Sequence, residues 1–168
     1  PPRLGGPRRA PPDSGSANVP APFEPKTKDP KVTTDPATAV IPATPVAGTI
    51  QGQAFRCEKA TLENGILTLR QGKDFFADLE VMILLLQGNE KLDGKRVVIT
   101  PDSGFDSPPV HVRKKEGNLP ATKIVPSGYA MRLEFDKATG KTVAGRIYLE
   151  MPQSFDTKLA GTFQATTR

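Results

Sequence analysis

The chain has 168 residues, among them 18 prolines, one cysteine and no tryptophan, and a formal charge of +5. One cysteine excludes an internal disulfide, and no apolar run approaches the ~20 residues that a membrane-spanning helix needs. The positive charge is spread rather than gathered into the stripe that a nucleic-acid footprint requires. Arg113-Lys114-Lys115 is the one basic triplet, and it reads as a solvated strand end.

Proline divides the chain. Twelve of the 18 prolines fall in residues 1–46, whereas seven of the eight phenylalanines come later. Proline fixes φ and steers its predecessor away from helix. Residues 1–46 are therefore predicted to be an extended, polyproline-like arm, too poor in apolar periodicity to pack alone. Pro22-Phe-Glu-Pro25 holds the arm's one aromatic, and Ala39-Val40-Ile41-Pro42 is a short apolar run. The arm is either a solvated linker or a docking strip. In the second case Phe23, Val40 and Ile41 are the apolar anchors. Arg8, Arg9, Lys26, Lys28 and Lys31 are then the contacts to acidic protein surfaces.

Residues 47–168 read as one β-domain, long enough to bury a core without disulfides. Gly48–Phe55 and Arg56–Leu62 are the first strands. Asn64-Gly65 supplies the two positive-φ positions of a type I′ hairpin turn, and Ile66–Arg70 returns. Gln71–Asp78 is a loop or a short helical turn. Leu79–Leu86 is apolar at nearly every position, as in a strand buried on both faces, with a core helix as the rival reading. Gln87–Gly94 is a loop, and Lys95–Thr100 is a strand stopped by Pro101. Val110–Lys115 and Thr122–Val125, flanked by prolines, are predicted edge strands.

The C-terminal part is the clearest. Tyr129, Met131, Leu133 and Phe135 alternate with polar or small residues. So do Val143, Gly145, Ile147, Leu149 and Met151, and then Leu159, Gly161, Phe163 and Ala165. A period of two with short turns predicts an antiparallel meander with one apolar face. Eight to ten strands and no long helical period predict an all-β antiparallel sandwich or barrel. A glycine recurs in Ala47-Gly48-Thr49, Ala144-Gly145-Arg146 and Ala160-Gly161-Thr162. Three neighbouring strands needing one slim position would explain it, with the first strand beside the last hairpin.

No catalytic constellation emerges. His111 is the single histidine and alternates with Val110 and Val112, so it faces outward. Asp102, Ser103, Asp106 and Ser107 nearby carry turn chemistry rather than a triad or a ligand set. Asp74, Asp78 and Glu80 lack the spacing of a calcium loop. Cys57 lies in a strand and has no base partner. The expectation is a protein that is not an enzyme and takes no cofactor or metal.

Gly48–Phe55, Gly145–Leu149 and Ala160–Ala165 together resemble small exported bacterial β-domains of uncharacterised function that follow a Pro/Thr-rich linker. The resemblance implies an extracytoplasmic (periplasmic or secreted) location, as does Pro1 in first place, read as a processed N-terminus. The expected role is a non-catalytic accessory or structural subunit of a larger extracytoplasmic assembly. Its partners would be protein subunits, with peripheral association to a membrane complex, no membrane span of its own and no nucleic acid. The alternatives are a tethered ligand-binding module and a filament subunit in which residues 38–46 donate a strand.

Overall fold

A computed structural model describes Val32 and residues 34–167, and only the backbone of residues 89 and 90. Phe23, Arg8, Arg9, Lys26, Lys28 and Lys31 lie outside the described residues. The protein is all-β. The strands are β1 (Ala47–Ile50), β2 (Gln53–Arg56), β3 (Lys59–Glu63), β4 (Ile66–Gln71), β5 (Leu79–Leu84) and β6 (Arg96–Ile99). They continue with β7 (Val110–Glu116), β8 (Leu119–Val125), β9 (Ala130–Phe135), β10 (Thr142–Glu150) and β11 (Lys158–Thr167). A single helical turn, α1 (Asn89–Leu92), lies between β5 and β6.

All eleven strands belong to one sheet. Its main path has nine strands in the order β6-β9-β10-β11-β3-β4-β5-β7-β8, with β1 and β2 attached beside β11. The sheet curls into a half-barrel around its apolar face. The expected meander is present, with Ile147 between Leu133 of β9 and Gly161 of β11. The first strand does lie beside the last, pairing Ala47 with Ala160.

Four features differ from the sequence expectation. The sheet is mixed, because β11 and β3 run parallel, with Ala165 opposite Ala60. A parallel pair needs a long connection, and most of the domain lies between these two strands. The predicted first strand folds back on itself at Gln51 (φ 47°) and Gly52 (φ 80°), giving β1 and β2. β7 is not an edge strand, since it lies between β5 and β8. β5 buries Leu79, Val81 and Ile83 on its inner face but leaves Met82 and Leu84 half-exposed outside. The Asn64-Gly65 turn has both predicted positive φ values, 52° and 77°.

The inner face forms one contiguous core, from Ile50, Leu62, Leu67 and Leu69 through Val81 and Ile83 to Met131, Leu133, Ile147, Leu149 and Leu159. Phe135 and Phe163 meet edge to face across the glycine at 145, with ring centroids 6.0 Å apart. A Cβ on Gly145 would stand 2.7 Å from the Phe163 ring and 2.4 Å from the Glu134 carbonyl, so this position admits no side chain. No helix among the described residues is long and apolar enough to cross a membrane.

Candidate partner-binding surface

The outer face of the meander is not simply wet. Register places Arg96 of β6, Glu134 of β9 and Arg146 of β10 in one row across the sheet. Val98, Arg132 and Tyr148 form the next row, and Tyr148 lies opposite Ala160. One carboxylate serves three arginines. Glu134 Oε2 is 3.2 Å from both Arg96 Nε and Arg132 Nε, and Oε1 is 2.7 Å from Arg146 Nε. A single negative charge leaves that cluster with donors to satisfy.

The chain's own N-terminal part satisfies them. Asp35-Pro36 opens a tight turn in which the Asp35 carboxylate accepts from Ala37 N–H at 2.9 Å. Asp at the first turn position, with proline next, favours this geometry. The turn aims two carbonyls at the sheet. Arg132 Nη1 donates to Pro36 O at 3.0 Å and Ala37 O at 2.8 Å, and Arg96 Nη2 donates to Ala37 O at 3.2 Å. Thr34 is hydrogen-bonded to the Tyr148 side chain. Further along, Thr162 N–H donates to Thr44 O at 2.8 Å, and Val46 N–H donates to Thr162 O at 3.0 Å. Residues 34–46 thus form a strap that lies over β9 and β10 and then runs beside β11, where Pro45 bridges Thr162.

The strap explains a residue whose surroundings the sequence misjudges. Tyr148 belongs to the outer row, yet it is only 4% exposed. Its hydroxyl donates to Glu150, and Lys158 Nζ lies 5.9 Å from the ring centroid. Burial, with the Glu150 carboxylate adding to it, pushes the phenol up to about 12. Tyr129, wholly buried and donating to Pro108 O, is also pushed up by burial. The neutral phenol is the form the fold favours, so this contribution to stability is complete below about pH 10 and is lost as pH rises from 10 through 12. These are the chain's two tyrosines, and it has no tryptophan. Tyrosinate absorbance of the native protein should therefore stay flat through the usual phenol range near pH 10. A normal titration of one phenol in the folded state would show that the strap does not cover Tyr148.

Of the predicted anchors within the described residues, Ile41 is half-buried and Val40 is 85% exposed. Both lie between the Asp35 turn and Thr44, so the structure places them on the strap. The residues that hold the strap were not singled out by sequence: Arg96, Arg132, Tyr148 and Thr162. A signal was present, because the outer rows combine arginines with small Ala130, Ala144 and Ala160. That combination leaves room for a backbone and supplies donors for its carbonyls.

Beside Pro45 an open cleft of about 670 Å³ is lined by Glu58, Lys59, Asp136, Arg146, Thr162 and Gln164, among others. Its polar groups are partly engaged within the fold: Glu58 accepts Gly72 N–H at 3.0 Å, and Arg146 pairs with Glu134. Cys57 lines the same cleft, donates to Lys59 O at 3.4 Å and has its thiol pushed up by burial. A raised thiol is a poor nucleophile. His111 faces outward between Met82 and Ile124 of the neighbouring strands. Among the described residues no group of three His, Cys, Asp or Glu side chains could hold a metal ion. No protein-family model, no curated protein and no solved structure matches this chain.

Proposed function

We propose that the protein is a non-catalytic accessory subunit of a larger extracytoplasmic assembly, in which the β-domain anchors a proline-rich segment at a set position. The observation that carries this reading is the Arg132 guanidinium, which gives two hydrogen bonds to the carbonyls of Pro36 and Ala37. Contacts of this kind hold a backbone in place whatever its side chains are. A segment rich in proline has less conformational entropy to lose on docking. Its basic residues and Phe23 would then meet protein subunits, and buried anchors carry most of an interface's energy.

The test separates anchor from reach. A chain starting at Val32 keeps the strap and should melt like the full chain. It should also lose its place in the high-mass fraction of a native envelope extract. Phe23→Ala with Ile41→Ser should lose part of it. Full retention by the truncated chain would make residues 1–31 a spacer. The cleft beside Pro45 would then favour a tethered ligand-binding module. Strand donation by residues 38–46 is less favoured, because Thr44 and Val46 are bonded to Thr162 of the same chain.

A further inference from the structure

The short branch through β1 ends at β2, and the main path of the sheet has two free edges, β6 and β8. The two are unlike. β8 carries Pro120 and exposed Lys123, both of which discourage a further strand. β6 has no proline, and its one charged residue, Arg96, is engaged with Glu134 and the Ala37 carbonyl. Phe135 N–H donates to Lys95 O at 2.9 Å, which sets the alternation of the ladder to β9. Val97 and Ile99 therefore bond toward β9, and the N–H and C=O groups of Arg96 and Val98 face the open side.

Along β6 runs a groove of about 380 Å³ to which β9 contributes no lining. Leu84, Leu86, Val97, Ile99, Phe105 and Pro108 supply its apolar half, and the rest of its lining is polar. Phe105 is fully exposed at its rim, and Leu86 is 68% exposed in a left-handed conformation, φ 57°. A branched residue in that region is strained, and such strain clusters at binding sites. Ser107 also lines the groove; it is 7% exposed, and its hydroxyl has no partner among the described residues. The far wall is closed to a second ladder: Pro108 and Pro109 carry no N–H, and their carbonyls already accept from Tyr129 and Leu84.

We propose that the free edge of β6 accepts an extended strand of a partner protein, apolar at alternate positions and flanked by acidic side chains. The strand exchanges backbone hydrogen bonds with Arg96 and Val98, seats alternate side chains in the groove and offers Ser107 a partner. This is recognition by strand addition, in which the edge supplies affinity and the pockets supply selectivity. Charge chooses the occupant. Arg96 is paired with Glu134, which does not line the groove, but Lys95 stands on the rim with its ammonium bonded to the neutral Gln87 amide at 3.0 Å. Two copies of β6 meeting edge to edge would crowd four cations along one short seam. The chain's own leading residues fit poorly, since proline lacks the donor and their longest proline-free run, residues 13–19, offers only Gly15, Ala17 and Val19 at alternate positions, too little apolar bulk to fill the groove. The inference does not depend on what residues 1–31 bind.

The probe is a small set of capped heptapeptides, Glu-Val-Thr-Val-Thr-Val-Glu and its Ile and Phe analogues, titrated against the full chain with amide chemical shifts as readout. Saturable binding that moves the Arg96 and Val98 amides is expected. Val98→Pro removes one edge donor without removing a bond to β9, so the fold should hold while binding weakens about tenfold. Phe105→Ser should weaken binding with Val98 intact. N-methylation of the peptide on the side facing β6 should abolish binding, whereas methylation on the other side should not. The proposal is overturned if no peptide saturates, or if Val98→Pro and both methylated peptides bind like the parent. It is equally overturned if the protein alone dimerises through β6 and Val98→Pro abolishes the dimer.

Discussion

Gly161→Val is expected to destabilise the domain by about 3 kcal/mol or more, against less than about 1 kcal/mol for Thr162→Val. Gly161 has φ +145°, and a Cβ built there would stand 2.6 Å from Thr44 O and 2.7 Å from Val46 Cα and N. These are backbone atoms, tied to Thr162 by two hydrogen bonds, so they cannot swing aside as a flexible side chain would. The sequence suggests overpacking between Leu159 and Phe163. The tighter obstacle is the strap. Thr162→Val keeps both backbone bonds and loses only a hydroxyl contact of 3.3 Å to Thr44 O. Urea unfolding of the two variants at unchanged slope is the measurement. Equal midpoints would mean that residues 44–46 do not lie against Gly161.

Arg132→Met is expected to release the strap at a cost of about 2 kcal/mol, since hydrogen bonds from a charged donor are worth roughly 1.5–3 kcal/mol. The side chain is 13% exposed, so methionine retains most of its packing. Release should be local. The Thr162 amide, protected by Thr44 O, should exchange faster, and the Tyr148 phenol should titrate nearer its ordinary value of 10.0 as water reaches it. Arg146→Met is the control, because Arg146 pairs with Glu134 and gives no hydrogen bond to the strap carbonyls of Pro36 and Ala37. Starting the chain at Ala47 should give the same tyrosine signature with a lower melting temperature, whereas starting at Val32 should change neither. An unaltered Tyr148 titration in Arg132→Met would show that the guanidinium is not what holds the strap.

Much of the β-domain was written locally in its sequence. Period-two alternation placed Met131, Leu133, Ile147, Leu149, Leu159 and Phe163 on one buried face. Asn64-Gly65 marked its hairpin turn because few other pairs tolerate two positive φ values. The repeated glycine pointed to β1 beside β11, but the three glycines do not share one slim position: Gly48 lies opposite Leu159, Gly145 opposite Phe163 and Gly161 opposite Ile147. The outward position of His111 followed from the same alternation. Closure of the sheet was decided only in three dimensions. The parallel contact of β11 with β3, the placing of β6 against β9 and the free edge that results join residues far apart in the chain. They depend on how far the sheet curls, which no local pattern encodes. The strap is the sharpest case. Arg132 and Tyr148 read as members of a solvated row, and residues 34–46 read as arm. What joins them is side-chain donors meeting backbone carbonyls, and a carbonyl has the same chemistry at every residue, so the sequence shows a row with room and donors but not which carbonyls fill it.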